Sequence, residues 1–377
     1  MTPSPRIWIL LLVLLPAILD AAPRARNLGI PFPGVPGENN AITDVDGVLV
    51  GQTTLVEGDT VRTGVTAIFP SGKTYQPVFA GWHVLNGNGE LTGLHWVRES
   101  GFLEGPVLLT NTHSVGAVHE GALIWMRDNG YYDEGLAALP VIGETWDGFL
   151  NDINGLHVRP RHAVEALASA TAGAVAEGNV GGGTGMVCFR FKGGIGTASR
   201  AFFIGGDPYH LGVLVQANFG RRSDLLVRGV PLGRQLEKTR LPQTGIEVPA
   251  VPGGSIICII ATNAPLLPHQ LDRVAQRGAL GVARVGGTGK NSSGDFFLAF
   301  STANPEAWEE KPTGKAQFLA NTEIDPVFDA AIEATEEAIL NALVAARTLT
   351  GRGGNTVYEL PESFLLNAFL EAAADSP

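Results

Sequence analysis

The sequence has few basic residues and no basic cluster. Among its 377 residues, 26 are Lys or Arg and 37 are Asp or Glu, which gives a formal net charge of -11 at pH 7. Nucleic acids and anionic membrane surfaces are bound through clustered Lys and Arg side chains. We therefore expect neither as a partner, whereas the charge is compatible with cationic ligands.

Cysteine is equally scarce. The chain has two, Cys188 and Cys258, each in an apolar, strand-like stretch. A disulfide between them is one possibility in an oxidising compartment, but cysteine is often buried as a free thiol, and we predict two inert thiols. There is no C-x-x-C pair, and His113 and His119 are too loosely spaced for a metal pair on one helical turn. We therefore expect no metal site.

Several catalytic signatures are missing as well. The sequence contains no G-x-S-x-G, no H-E-x-x-H and no P-loop. The glycine-rich run NVGGGTGM at 179–186 lacks the Lys-Ser/Thr ending of a phosphate loop and follows a predicted helix. We interpret it as a tight loop packed against another stretch of backbone.

The first 22 residues have the features of a secretory signal. Arg6 precedes the apolar run 7–15, and small residues follow where a signal peptidase would cut. The apolar stretch is shorter than the roughly 20 residues that span a bilayer, so a membrane anchor is not expected. We predict that residues 1–22 are removed and that the mature chain, 23–377, is periplasmic or secreted.

Glycine, by contrast, is abundant, with 49 residues spread through the chain rather than in a repeat. This distribution predicts many tight turns and close backbone contacts. No polar linker divides the chain, and its strands and helices alternate too irregularly for a (β/α)8 barrel. We predict a single α+β domain with antiparallel sheets covered by helices. Predicted strands are 42–51, 64–69, 105–110, several within 185–217, 256–260 and 296–300; predicted helices are 114–129, 161–177, 268–283, 325–346 and 361–374.

The stretch VPGGSIICIIATNAP at 251–265 places two glycines before a serine that opens an apolar strand. A serine needs a base to become a nucleophile, and no Ser-His-Asp order is visible. The α-amino group of the serine itself is one substitute, which requires a cut between Gly254 and Ser255. Its reference pKa of about 7.7–8.0 leaves part of it neutral near pH 7. From this stretch alone, both a maturation site and a simple turn before a core strand remain open.

Longer motifs resemble a known family. The run GGSIICIIATNAPLLPHQLDRVAQRGALGVARVGGTG, with NSSGDFFLAFSTAN after it and GNVGGGTGM and LVQANFG before it, is similar to the DmpA-type self-processing N-terminal-nucleophile aminopeptidases. These are the L-aminopeptidase/D-amino-acid esterases and the β-peptidyl aminopeptidases. The resemblance extends from about residue 40 to residue 346. It implies an αββα four-layer sandwich, made as one precursor and cut into two chains that stay together, here 23–254 and 255–377.

The resemblance also implies catalytic residues. Ser255 matches the nucleophile that begins the smaller chain, and Ser293 and Asp295 match the serine and the acidic residue beside it. Asn218 matches the asparagine of the oxyanion hole. These residue types suit such roles, because Ser293 and Asp295 can orient the Ser255 amine and a side-chain amide can donate to a developing oxyanion.

The segment GETWDG at 143–148 is a weaker match to the family. In the family this region lines the substrate pocket, and we assign Glu144 to the free amine of the substrate, with Asp147 as the second candidate. Trp146 stands where a tyrosine is expected. A phenolic hydroxyl, and any hydrogen bond it supplies, is therefore missing at that position.

The sequence as a whole predicts a secreted or periplasmic serine-type aminopeptidase. It releases N-terminal residues from small peptides, amides or esters through an acyl-enzyme on Ser255, without metal or organic cofactor. We expect a homo-oligomer of processed heterodimers. The alternatives are an acyltransferase of the ornithine acetyltransferase type and an inactive amine-binding secreted protein. The export signal and a serine where threonine is expected disfavour the first; the complete set of catalytic residues disfavours the second.

Overall fold

The computed structural model describes residues 23–131, 139–237, 254–309 and 311–367. The predicted signal segment, 1–22, lies outside these ranges. The strands are β1 (Leu49–Glu57), β2 (Val61–Phe69), β3 (Val78–Gly87), β4 (Phe102–Leu103), β5 (Val107–Asn111), β6 (Val141–Thr145), β7 (Val187–Cys188), β8 (Phe191–Lys192), β9 (Gly194–Ile204), β10 (Asp207–Asn218), β11 (Ser255–Thr262), β12 (Gly294–Ser301), β13 (Leu349–Thr350) and β14 (Thr356–Val357). The helices are α1 (Leu94–Ser100), α2 (Val115–Asp128), α3 (Pro160–Ser169), α4 (Leu232–Glu237), α5 (Pro268–Arg284) and α6 (Asp325–Ala345).

Two sheets form the centre of the molecule. One has four strands in the order β1-β2-β5-β6, and the other has six in the order β4-β3-β12-β11-β10-β9. Most neighbouring strands are antiparallel, as predicted. Two pairs are parallel, β5 with β6 and β11 with β12, so both sheets are mixed.

Strand β11 shows how the layers are stacked. Ile257 and Ile259 point into the apolar core between the two sheets, where Leu109 of β5 also lies. Their neighbours Ile256 and Ile260 point to the opposite face, into the core beneath helices α5 and α6. This two-residue alternation is what a strand with both faces buried produces.

The four-stranded sheet is covered in the same way. Phe69 of β2 and Leu108 of β5 pack under α2 and α3, against Trp125 and Leu167 among others. The order of layers is therefore helix, sheet, sheet, helix. The predicted αββα sandwich is confirmed.

Two of the predicted elements are partly wrong. The strand expected at 42–51 starts only at Leu49, because residues 42–44 form a short 3-10 turn in which Asp44 accepts hydrogen bonds from backbone N–H groups before it. The helix expected at 161–177 ends at Ser169. Beyond it, Thr171 exchanges backbone hydrogen bonds with Val50 of β1, which draws the chain away from the helix axis.

Other elements agree closely or were not expected. Helices α2, α5 and α6 and strands β5 and β12 match their predictions to within three residues at each end. Strands β3 and β6 and helix α1 were not predicted. Of the helix expected at 361–374, residues 362–367 are helical. The rest of that prediction, 368–374, lies outside the described residues.

The glycine-rich loop packs against backbone, as its composition predicts. A Cβ on Gly183 would lie 2.4 Å from the backbone nitrogen of Ile195, and one on Gly182 would lie 2.7 Å from the carbonyl oxygen of Leu109. Only glycine allows the loop to fit this closely between the two sheets. The loop is therefore a structural element that joins the layers.

Both cysteines are free and buried, which agrees with the prediction of two thiols. Burial raises the pKa of each thiol to about 12. In the described ranges, no group of three or more His, Cys, Asp and Glu side chains is arranged to hold a metal ion. Within the same ranges, no helix has the length and apolar character needed to cross a membrane.

A buried ion-pair cluster fixes α6 against β9. Arg200 of β9 pairs with Glu337 at 2.9 Å and with Glu333 at 3.1 Å, and Arg26 pairs with the second oxygen of Glu337 at 2.9 Å. Arg200 and Glu337 are almost completely inaccessible to solvent. Removing one partner of such a cluster leaves a buried charge without its full compensation.

We predict that Arg200→Met lowers the free energy of unfolding by about 3 kcal/mol, the low end of the usual range because Arg26 still pairs with Glu337. Urea unfolding followed by tryptophan fluorescence measures the change. Lys311→Met, at the exposed Lys311–Glu309 pair, is the control and should change stability little. If Arg200→Met is as stable as the wild type, the cluster does not stabilise the fold.

Candidate active site

Ser255 is the first residue of β11 and sits at the end of the six-stranded sheet. Its neighbours in register are Asn218 on the antiparallel strand β10 and Gly294 on the parallel strand β12. Its side chain lies on the same face as Ile257, toward the space between the sheets. The residue is 8% exposed, and Ser255 Oγ accepts a hydrogen bond of 3.3 Å from the Gly294 N–H.

Ser293 and Asp295 flank Gly294 and are brought next to Ser255 by this register. Ser293 Oγ donates to Asp295 Oδ1 at 2.6 Å. Among the described residues, Asp295 Oδ2 has no hydrogen-bond partner although it is buried. Burial raises the pKa of Asp295 to about 6, against the opposing effect of the Ser293 hydroxyl. A carboxyl group with this pKa can exchange a proton near neutral pH.

Asn218 ends β10 with its amide group fixed on two sides. Its Oδ1 accepts from the Val187 N–H at 2.7 Å, and its Nδ2 donates to the Trp146 carbonyl at 2.9 Å. An amide nitrogen carries two hydrogens. One is used by Trp146, which leaves the other for a group next to Ser255.

Glu144 lies near the end of β6, beside Thr110 of β5. Its Oε2 accepts from the Thr112 hydroxyl, and its Oε1 accepts from the Glu90 N–H at 3.1 Å. The residue is buried, and this burial raises the pKa of its carboxyl group, partly opposed by the two hydrogen bonds. A buried carboxylate of this kind gains most from a cationic partner.

Gly89 connects Glu144 to the serine end of the site. A Cβ on Gly89 would lie 2.9 Å from Glu144 Oε1 and 3.6 Å from the Cα of Gly294. Gly294 is the residue paired with Ser255. Gly89 therefore contacts Glu144 on one side and the strand next to Ser255 on the other, which places Glu144 and Ser255 at the same end of the site.

Trp146 and Asp147 follow Glu144 and differ in exposure. The Trp146 side chain is 37% exposed, and its backbone carbonyl holds Asn218. Asp147 is buried, and its Oδ1 accepts from Asn151 Nδ2 at 3.0 Å. Burial raises the pKa of Asp147 to about 7. The second candidate for the substrate amine is thus more deeply enclosed than Glu144.

The structure adds groups that the sequence analysis missed. Three of them are backbone groups: the N–H of Gly294, the N–H of Val187 and the carbonyl of Trp146. Backbone donors and acceptors have no side-chain signature, so only the fold can reveal them. Thr112, which donates to Glu144, belongs to no distinctive sequence motif, so the sequence analysis did not single it out.

Two helix-covered sheets with a serine at the start of a central strand are the arrangement of the N-terminal-nucleophile hydrolase fold. The chain resembles an L-aminopeptidase D-Ala-esterase/amidase of Ochrobactrum anthropi, a structure described as a variant of that fold, with a TM-score of 0.87 and 43% identity over 93% of this chain and 99% of the other. The model of peptidase family S58 matches residues 40–357, and the chain belongs to this family.

Other relatives agree. The β-peptidyl aminopeptidase BapA of Sphingosinicella microcystinivorans is 50% identical over 363 residues, 91% of each chain. The structure of a β-aminopeptidase from a Burkholderia species has a TM-score of 0.84 and 48% identity over 92% of this chain and 98% of the other. The chain is accordingly a hydrolase of the serine aminopeptidase type. This identification replaces the acyltransferase and the inactive amine-binding alternatives.

The raised pKa of Asp147 predicts a pH-dependent stability. In the folded protein this carboxyl group holds its proton up to about pH 7, whereas its ordinary pKa is 3.8. The folded state therefore binds more protons between these values, and the free energy of unfolding falls as the pH rises through the window. Asn cannot ionise, so wild type should lose stability relative to Asp147→Asn as the pH rises from about 4 to 7.

Urea unfolding of both proteins at several pH values across this window measures the effect. Because Asp295 and Glu177 also have raised pKa values, the comparison uses the difference between the two proteins rather than the wild-type curve alone. A difference that stays constant with pH would contradict the prediction.

Proposed function

We propose that the protein is a self-processing aminopeptidase in which Ser255 becomes both an N-terminus and the nucleophile. The observation that carries this proposal is the convergence of Ser255, Asn218 and Gly294 at one end of the six-stranded sheet. Ser255 there follows Gly254, the residue that would end the larger chain. Glycine at this position leaves the carbonyl carbon open to attack and suits a reactive turn.

Self-cleavage is a shift of the Gly254 acyl group from nitrogen to oxygen. Ser255 Oγ attacks the Gly254 carbonyl carbon, the C–N bond breaks, and the released amine takes up the proton of the hydroxyl group. Water then hydrolyses the ester, which gives a carboxylate on Gly254 and restores the Ser255 hydroxyl group, and the amine released in the first step remains as the new N-terminus. The Gly294 N–H supports the first step, because it also donates to the Gly254 carbonyl oxygen at 3.3 Å, where negative charge develops.

Peptide hydrolysis uses the same serine in the cut protein. The Ser255 amine accepts the proton of Oγ, which attacks the carbonyl carbon of the substrate's first residue and forms an ester. The same amine returns the proton to the departing amine, and water completes the cycle. Ser293 and Asp295 orient and stabilise the charged amine, while the remaining hydrogen of Asn218 Nδ2 donates to the oxyanion.

Substrate choice rests on Glu144. An aminopeptidase must distinguish a free ammonium from an internal amide, and a buried carboxylate does so because an acylated amine leaves it unpaired. The proposed substrates are small peptides, amides or esters with a free amine. Two of the relatives are named for β-peptides or β-amino residues, so N-terminal β-amino acids are the first compounds to compare with α-amino acids.

The location and assembly of the enzyme are further parts of the proposal. The features of residues 1–22 support export to the periplasm or the medium. Assembly as a homo-oligomer of processed heterodimers follows from the family resemblance and stays a prediction. Neither part affects the chemistry at Ser255.

We predict that the purified protein contains two chains and that the smaller one runs from Ser255 to Pro377, as intact-mass analysis would show. Ser255→Ala should leave one uncut chain without activity, because both reactions need Oγ. Ser292→Ala, which alters the neighbour of Ser293, is the control and should be cut and active. A cut and active Ser255→Ala protein would exclude Ser255 as the nucleophile.

A second prediction tests recognition of the free amine. N-acetylated aminoacyl amides should be very poor substrates, and Glu144→Gln should lower kcat/KM for free-amine substrates by ~10-fold or more, the effect of one lost charge-assisted hydrogen bond. Chromogenic aminoacyl anilides, free and acetylated, provide the measurement. Glu90→Gln removes a nearby exposed carboxylate and should have a much smaller effect.

The acetylated substrates and the Glu144→Gln variant test different parts of the proposal. Efficient hydrolysis of acetylated compounds by the wild type would contradict the aminopeptidase proposal. An unchanged kcat/KM in Glu144→Gln would instead move the amine site to another residue, with Asp147 the next to test.

A further inference from the structure

Lys192 is a fully buried lysine at the end of the short strand β8. In the described part of the chain its Nζ binds backbone rather than a carboxylate. The ammonium donates to the carbonyl oxygens of Gly183 at 3.2 Å, Met186 at 2.8 Å and Gly193 at 2.7 Å. These three bonds use all three of its hydrogens.

One of these carbonyls belongs to the peptide unit that holds Asn218. The Met186 carbonyl and the Val187 N–H are two ends of the same peptide group. The carbonyl accepts from Lys192 Nζ, and the N–H donates to Asn218 Oδ1 at 2.7 Å. A continuous chain of hydrogen bonds therefore runs from the ammonium of Lys192 to the amide of Asn218.

The direction of this chain suits the proposed role of Asn218. The Lys192 ammonium, bound to the Met186 carbonyl oxygen, polarises the peptide group and makes the Val187 N–H a stronger donor. This N–H group in turn polarises the Asn218 amide. The Asn218 Nδ2 hydrogens become more positive as a result. One of these hydrogens is donated to the Trp146 carbonyl, so the increased donor strength is available at the other hydrogen.

We propose that Lys192 is a positioning residue of the oxyanion hole, which orients and polarises Asn218 through the Met186–Val187 peptide group. The proposal rests on the function assigned to Asn218 above. Lys192 does not touch the substrate. Its contribution is made in the transition state, when the oxyanion forms.

The energetic cost of Lys192 supports a functional role. A lysine without a carboxylate partner is expensive to bury, and burial lowers the pKa of Lys192 to about 7. The charged form that donates to the three carbonyls therefore predominates below about pH 7. Arg200 is equally buried but pairs with Glu337 and Glu333. Arg200 is thus paired with carboxylates of helix α6, whereas Lys192 lies behind the proposed active site without a carboxylate partner among the described residues.

A double-mutant cycle with Lys192→Met and Asn218→Ala tests the proposal. Kinetics are measured with aminoacyl anilides and normalised to active sites counted by burst titration, so that misfolded protein is not scored as slow enzyme. Asn218→Ala should lower kcat by roughly 10²- to 10³-fold with little change in KM. Lys192→Met should also lower kcat, by about 10-fold, with KM nearly unchanged.

The kcat of the double variant shows whether Lys192 acts through Asn218. If Lys192 acts through Asn218, the double variant should be no slower than Asn218→Ala alone, because the polarised amide is already gone. Effects of the two changes that multiply, or a kcat of Lys192→Met equal to that of the wild type, would overturn the proposal. Arg200→Met, which removes the other buried cation, should lower stability but leave kcat per active site unchanged.

The double-mutant cycle also applies when a variant is not cut or does not fold. If a variant stays uncut, the cycle is applied to the rate of self-cleavage, which passes through a similar oxyanion. If Lys192→Met does not fold, Lys192→Gln takes its place. A wild-type kcat in Asn218→Ala would overturn the oxyanion role of Asn218 and this inference together, whereas a slow Asn218→Ala beside a normal Lys192 variant would overturn only this inference.

Discussion

The pairing of β11 with its two neighbours is the constraint on which the site depends. Antiparallel pairing with β10 sets Asn218 beside Ser255, and parallel pairing with β12 sets Gly294 on the other side. A shift of one residue in either register would turn these groups to the opposite face of the sheet. The register is held by strands that are buried on both faces, so the apolar core determines the geometry of the polar end.

The layers were predictable from the sequence, as was a set of candidate side chains that the fold brings together. Long apolar runs such as 256–260 indicate strands covered on both faces, and motif resemblance pointed to Ser255, Asn218 and Asp295, which the fold brings to one end of the sheet. The prediction was weaker where a tertiary contact overrides local preference. The helix at 161–177 ends early because Thr171 pairs with Val50, a contact between distant parts of the chain.

The connections that fix the site were beyond the reach of sequence reasoning. Asn218 is held by Val187 and Trp146, which lie 31 and 72 residues away, and both bind through the backbone. Lys192 did leave a signal, a lysine between Phe191 and two glycines in the stretch FRFKGGIG. That signal does not reveal the partners of the lysine, which depend on how the glycine-rich loop folds between the sheets.

The order of strands in the larger sheet has a consequence for the two proposed chains. Strands β11 and β12 come after the proposed cut at Gly254, and they lie between β3 on one side and β10 on the other, which come before it. The smaller chain is thus woven into the larger one, with main-chain hydrogen bonds along both of its edges. The two chains could part only by dismantling the sheet, so each would keep the partner with which it was synthesised and would not exchange it with other copies.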